Sequence, residues 1–359
     1  MIAPHARRSR LGTFIALGIS AVMLTLTFIK VQLHASPHLA FRFDAHELGQ
    51  ILRAHPLAFV LFALAEALCL PLRALLWRFV LPRGIARQGA RYHAIALGAL
   101  AQNVLPARAG ELVRALSLSR AVKGLGRTRS LTTVATSKLA ELAALLTFIA
   151  LAPLTVDLSS PALANFRRGA HVGMGVLLAL VGLVVLVTRA RGKTHRLENV
   201  LRHLPDKAGT KVAVFLEELA HGAAACGAVH RVLLAYAMAL CTVGAAVLAF
   251  MCGLWGVGAP HSFGAATVVL GAVSLGMSLP SSPSGVGVYH LVCLYALTAL
   301  GVDPARAAAF ALATHLIGTG VNIGMGLTSL VRGHESLGGL MGGPPEPEPE
   351  VAPEASFGG

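Results

Sequence analysis

Six apolar runs constrain this chain more than any other feature: Leu11 to Leu33, Leu57 to Leu81, Leu131 to Leu154, Val172 to Val187, Val232 to Leu254 and Ala305 to Val331. A helix needs about 20 mostly apolar residues to cross a bilayer, and inside the bilayer its backbone polar groups must be satisfied within the segment. The runs therefore predict an all-α polytopic membrane protein. Composition agrees: 13% of the 359 residues are charged and 55% hydrophobic, where an average soluble domain carries about 25% charge. An ordinary soluble globule and a disordered chain are both excluded. No alternating strand pattern is read anywhere.

The first run follows Arg7, Arg8 and Arg10. It exceeds the roughly 7–15 apolar residues of a signal peptide, so it is read as an uncleaved span. Cys69, Cys226, Cys241, Cys252 and Cys293 form no CxxC pair and are read as small packing residues. His34 and His38 are read as loop histidines, and no metal site is expected. The formal charge is +14, and Pro344 to Gly359 holds four glutamates against no Lys or Arg. The basic excess with only 6% aromatics fits cytoplasmic loops and anionic lipid better than nucleic acid.

Basic loops place Arg7 to Arg10, Arg83 to Arg91, Arg108 to Arg129, Arg189 to Arg196 and Arg332 in the cytoplasm. Two shorter apolar stretches must then leave and return on one side. The expected architecture is about six full spans plus two re-entrant helical hairpins, at about 92–120 and 263–300, with both termini cytoplasmic. Residues 1–332 form the membrane domain. Within it, residues 190–228 are read as an interfacial segment, because Leu197, Val200, Leu201 and Leu204, then Val212, Phe215, Leu216 and Leu219, recur at helical spacing. Residues 333–359 are read as a disordered acidic, Pro-rich cytoplasmic tail.

The two hairpins resemble each other. Leu97-Gly98 leads to Leu105-Pro106 and then Gly110; Leu270-Gly271 leads to Leu279-Pro280, Pro283 and then Gly285 and Gly287. Helices broken at Pro106 and Pro280 and entering from opposite faces are an inverted repeat, a transporter design.

Ionisable residues inside spans are costly and mark function. Arg73 and Arg78 lie toward the cytoplasmic end of the second span, with Arg78 read as snorkelling. Glu66 lies deeper, and a hairpin arginine or lysine is the expected partner. Lys138 and Glu141 are three apart, a spacing that permits an ion pair. The densest cluster is Asn103, Arg108, Glu111 and Arg114, with the last three stepping by three along one helix face. Arginine's planar fork suits phosphate, with Glu111 as counter-charge. His290, His315 and Asn322 sit in apolar helices where a lone histidine is more often structural; His290 is kept as a candidate. No Walker loop, HExxH, GxSxG or paired-carboxylate motif is present, so no enzymatic activity and no cofactor are expected.

Asn103-Val-Leu-Pro106-Ala-Arg108-Ala-Gly110-Glu111-Leu-Val-Arg114 resembles the N-x-L-P-x-R-x-G-E-x-x-R signature of the membrane domain of lysylphosphatidylglycerol synthase, a flippase-like family. Ser137-Lys138-Leu139-Ala140-Glu141 resembles its E-R-x-x-D helix, and Pro283-Ser284-Gly285-Val286-Gly287-Val288-Tyr289-His290 its P-G-G-x-G-x-x-E turn. The Arg73 to Arg78 segment is similar to the family's second helix. The likeness spans about residues 11 to 331. Lys138 stands for Arg, Glu141 for Asp, Ser284 for Gly and His290 for Glu. An acidic, Pro-rich tail follows the last span where the bifunctional members continue into a soluble aminoacyl-transferase domain, so lipid aminoacylation is not expected of this chain.

The resemblance implies a translocator moving an anionic or modified lipid across the cytoplasmic membrane. Its headgroup site would draw on Arg73, Asn103, Arg108, Glu111, Arg114, Lys138, Glu141 and His290. Its partners would be membrane lipids, with a homo-oligomer or a lipid-modifying enzyme partner left open. Two rival readings stand beside it: a membrane-embedded lipid transferase using Glu111 or Glu141 as base, and a non-transporting scaffold of a lipid-modification complex.

Overall fold

The computed structural model describes residues 29–32, 38–41, 45–105, 109–156, 229–278 and 283–333, with isolated positions between 18 and 25 and between 163 and 175. The expected spans at 11–33 and 172–187, the segment 190–228, the tail beyond Gly333, Cys226 and the residues Pro106, Arg108 and Pro280 fall wholly or mostly outside them.

Among the described residues the architecture is helical, with one short exception. Strands β1 (Ile29–Gln32) and β2 (His38–Phe41) pair antiparallel, Ile29 opposite Phe41 and Gln32 opposite His38. This corrects two readings: the first apolar run ends as strand, and His38 lies in a ribbon. Ile-Lys-Val-Gln does alternate with period two, but over four residues that signal is lost beside a long hydropathy peak.

The helices are α1 (Ala45–Ala54), α2 (Pro56–Val80), α3 (Gln88–Val104), α4 (Gly110–Ala121), α5 (Arg127–Leu151), α6 (Val229–Gly256), α7 (Phe263–Gly276), α8 (Val288–Ala299) and α9 (Pro304–Gly333). Among the described residues four helical stretches are long and apolar enough to span a membrane: α2, α5 continued to Leu154, α6 from His230, and α9. Their outward positions are apolar too. Leu57, Val60, Leu61, Leu64 and Leu68 are exposed on α2, as are Leu233, Leu248, Leu316 and Val331 elsewhere, which suits contact with lipid rather than water.

Terminal contacts fix the directions. The Arg231 guanidinium at the start of α6 donates to the carbonyls of Arg78 (2.9 Å) and Leu81 (2.5 Å) at the end of α2. At the other end the rings of His55 and Trp255 lie 6.1 Å apart. Helices α2 and α6 are thus antiparallel along their whole length. One terminal nitrogen of Arg231 thus satisfies carbonyls that the end of α2 leaves open. Helix α5 starts beside the end of α2, where Trp77 Nε1 donates to Thr133 Oγ1 at 3.1 Å. Helix α9 starts at the opposite end, where Arg306 reaches the Gly258 carbonyl, and finishes by α3, where His93 meets Ser329 at 2.7 Å.

The short helices form two hairpins between these spans. Helix α3 has 17 residues and α4 has 12; at 1.5 Å per residue the longer reaches only about 25 Å, short of a hydrocarbon core of about 30 Å. The pair leaves and returns at the arginine-rich end. Arg91 Nε holds the Ala74 carbonyl near the start of α3, and Ser130 Oγ holds the Ala115 carbonyl of α4. Helices α7 and α8, of 14 and 12 residues, enter from the opposite end, where Gly264 N donates to Thr155 Oγ1. The two tips meet inside the bundle: Ser284 Oγ donates to Asn103 Oδ1 at 2.9 Å. The turn that delivers Ser284 is left-handed at Ser284 (φ 61°), Gly285 (φ 70°) and Gly287 (φ 89°). Glycine adopts such angles without strain; a serine there is costly and is held by its hydrogen bonds.

Candidate functional site

Three elements bring five of the expected residues together. Arg73 comes from α2, Glu111 and Arg114 from α4, and Lys138 and Glu141 from α5. Arg73 Nε lies 3.2 Å from Glu141 Oε1, Lys138 Nζ lies 2.9 Å from Glu111 Oε1 and 3.4 Å from Glu141 Oε2, and Arg114 lies 3.8 Å from Glu111. The spacing-based expectations of a Lys138–Glu141 pair and of Glu111 and Arg114 on one face are both met.

The local folding that permits this is specific. Gly98 and Gly110 sit where α3 and α4 cross. A Cβ on Gly98 would come 2.8 Å from the Gly110 carbonyl oxygen, and one on Gly110 would come 2.5 Å from the Gly98 oxygen. Only bare backbones allow so close a crossing. The crossing draws α4 inward, so that Arg114 stacks 4.2 Å over the buried Trp77 ring and donates to Ser137 Oγ at 3.2 Å. Guanidinium on indole is a favourable cation–π arrangement, stronger when desolvated.

Two layers result. The Arg114 and Glu141 side chains are 5% and 12% exposed, whereas those of Arg73, Lys138 and Glu111 are 34%, 42% and 45% exposed. The inner pair orders the outer three. Those three and Arg114, with Gln102, Gly98 and Ala99, line a cavity of about 410 Å³. Three cations face two carboxylates, so the described cluster carries one net positive charge. The Arg73–Glu141 contact is one of charge rather than of alignment, for neither Arg73 Nε nor Glu141 Oε1 has a hydrogen-bond partner among the described residues; Arg114 Nε and Glu111 Oε2 are alike in this. A cavity with unspent donors and a net positive charge can hold one anionic group.

The remaining candidates lie elsewhere. Asn103 turns to Ser284 at the hairpin junction. His290 stacks on His315, with ring centroids 4.7 Å apart and planes 13° apart, in a second cluster that also holds Tyr289 and Thr319. Gly110, Pro283, Gly285 and Gly287 occupy the hairpin crossing and the turn. Glu66 accepts at Oε1 from Asn322 Nδ2 on α9 at 3.0 Å; Arg108, the hairpin arginine that could pair with it, lies outside the described residues. Arg78 is exposed, in keeping with an interfacial residue. Cys69 and Cys293 are buried and unbridged. Among the described residues no three of His, Cys, Asp and Glu gather as a metal site.

Sequence reasoning missed Trp77, Thr133, Ser137 and Gln102 as supports. A signal for two of them existed: Ser130, Thr133, Ser137 and Glu141 recur at helical spacing along an otherwise apolar span.

A family model described as the lysylphosphatidylglycerol synthase TM region matches residues 13–326. No curated protein and no solved structure matches the chain.

Proposed function

The chain belongs to the family of the lysylphosphatidylglycerol synthase transmembrane region, and from that premise we propose that it moves a lipid with an anionic headgroup between the leaflets of the cytoplasmic membrane. The multi-pass helical architecture and the lipid-related family give the coarse role. The observation that carries the finer one is the charged cavity at the first hairpin, set within a bundle whose two broken-helix hairpins come in from opposite ends. Such hairpins are the parts by which transporters expose one site to two sides in turn.

The outer layer supplies the chemistry. Lys138 is held by Glu111 at 2.9 Å, so Glu111 occupies the place on Lys138 that a phosphate oxygen would take. An incoming phosphate exchanges with the Glu111 carboxylate, and Arg73 adds a second charge-assisted donor. When the headgroup leaves, Glu111 returns and neutralises Lys138. Binding is then strong enough to desolvate the headgroup and weak enough to release it. Both termini and the basic loops face the cytoplasm in this reading, following the arginine excess at the end where α2 finishes.

The test is transbilayer movement of a labelled anionic phospholipid in liposomes holding the purified chain, wild type beside Glu111→Gln. The neutral amide cannot compete for Lys138 as the carboxylate does, so movement should fall at least tenfold while headgroup binding is kept. Equal movement by the two proteins would overturn the exchange step. No movement, with a change in lipid mass on overexpression, would move the assignment to a transferase.

A further inference from the structure

The hairpin junction contains a basic atom with no hydrogen-bond partner among the described residues. Ser284 Oγ contacts Asn103 Oδ1 at 2.9 Å, His315 Nε2 at 3.0 Å and Thr319 Oγ1 at 2.8 Å. A hydroxyl has one proton to give. The Asn103 amide is oriented by its own donation from Nδ2 to the Ala99 carbonyl at 2.8 Å, so Oδ1 faces Ser284 and can only accept. The Ser284 proton therefore goes to Asn103, and Ser284 must accept from both other partners. It follows that His315 carries its proton on Nε2 and leaves Nδ1 as a bare lone pair. His315 is 7% exposed, and its Nδ1 has no hydrogen-bond partner among the described residues.

Buried polar atoms are nearly always satisfied, and one that is not calls for an account. We infer that His315 Nδ1 is a proton-binding site, and that proton uptake there separates the tips of the two hairpins. Its role in transport rests on the translocator reading; the proton site and the tip movement do not. The step is simple in atoms: Nδ1 takes a proton from water, Nε2 keeps its own, and the neutral imidazole becomes an imidazolium. An imidazolium cannot stay cheaply in that position, because burial disfavours the charged form.

The surroundings give it little help. The groups facing it are His290 and Tyr289 from α8, whose rings lie 4.7 Å and 4.8 Å from its own. From its own helix come Thr319 and, two turns on, Asn322; from α3 comes Asn103. The nearby carboxylate is Glu66 on α2, already accepting from Asn322. A proton on His315 therefore favours any arrangement that lets water reach the ring, and the one at hand is withdrawal of the Ser284 turn, which covers that ring at Nε2. By linkage, each pH unit below the open-state midpoint multiplies the open-to-closed ratio by up to about tenfold.

The experiment uses the full chain in nanodiscs, with ¹⁵N-labelled histidine followed by NMR and amide exchange of the 283–290 and 99–105 segments followed in parallel. Exchange is corrected for its intrinsic pH dependence. The His315→Gln variant assigns the signal. Glutamine keeps an N–H near the Nε2 position and so retains the donation to Ser284, but it has no titratable lone pair. At pH 8 His315 should be the Nε2–H tautomer; toward pH 5 it should protonate while both tip segments exchange faster. His315→Gln should lose the acid-dependent rise, and His290→Gln should keep it. An Nδ1–H tautomer at pH 8, a rise that persists in His315→Gln, or flat exchange in wild type overturns the inference. None of these readouts needs lipid movement, so failure here and failure of the translocator reading are separable.

Discussion

Replacing Gly98 with alanine puts a methyl group where there is no room for one. The new Cβ would lie 2.8 Å from the Gly110 carbonyl oxygen and 2.9 Å from Arg114 Cβ. Both neighbours belong to, or are rooted in, the α4 backbone, so no flexible side-chain end can swing aside. To restore ordinary contact, α4 must retreat by more than half an ångström. Overpacking of this kind costs about 1–3 kcal/mol, and alanine's better helix propensity returns at most about 1 kcal/mol. With the full propensity gain returned, a net loss of up to about 2 kcal/mol follows. The retreat also carries Arg114 away from Ser137, whose hydrogen bond is already 3.2 Å long, and Glu111 away from Lys138. Thermal unfolding of the purified protein and binding of a short-chain anionic phospholipid should therefore fall together. Gly89→Ala is the control: it lies in the first turn of the same helix, and a Cβ there meets nothing within 4 Å, so it should be neutral or slightly stabilising. If Gly98→Ala unfolds at the wild-type temperature and binds headgroup normally, the idea that the glycine crossing positions the site is wrong.

The other predictions concern the site and the turn. Lys138→Met removes the cation that joins Glu111 to Glu141 and takes the described cluster from one net positive charge to neutral; anionic lipid binding, read by isothermal titration, should weaken at least tenfold, with the fold kept by circular dichroism. Arg114→Lys retains the charge but loses the planar stack on Trp77 and the hydrogen bond to Ser137, an exchange of about 1–2 kcal/mol visible in thermal unfolding. Ser284→Ala keeps the left-handed strain and loses the bonds to Asn103, His315 and Thr319, whereas Ser284→Gly loses the same bonds and relieves the strain; the glycine variant should be the more stable by about 1 kcal/mol. Equal stability of the two would show that the φ of 61° costs nothing.

Local sequence is enough for the parts of this molecule that depend on local physics. Stretches such as Pro56–Val80 and Pro304–Gly333 are apolar over most of their surface, with only a few polar positions such as Glu66, Arg73 and Asn322, and their outward leucines and valines suit lipid, so they read as spans. The stretches at 88–104 and 263–276 are too short to cross and end beside Leu-Pro, so they had to turn back. The step of three from Glu111 to Arg114 and from Lys138 to Glu141 puts each pair on one helix face before any fold is known. The β ribbon escaped because four residues of period two cannot compete with a long apolar run.

Which polar groups meet is another matter, and only the tertiary structure decided it. Asn103 and Ser284 are 181 residues apart, and Glu66 and Asn322 are 256 apart. The motif put Asn103 beside Arg114, and the fold sent it to Ser284; a lone histidine looked structural until His315 was placed with Nδ1 unsatisfied. The reason is geometric. Hydropathy fixes that a helix crosses, but not its depth or its rotation about its own axis. Those are set by close packing at small residues, here the Gly98–Gly110 crossing, and by tertiary hydrogen bonds such as the Arg231 clasp on α2. A turn of about 100° per residue means that a small change in rotation sends each buried charge to a different neighbour.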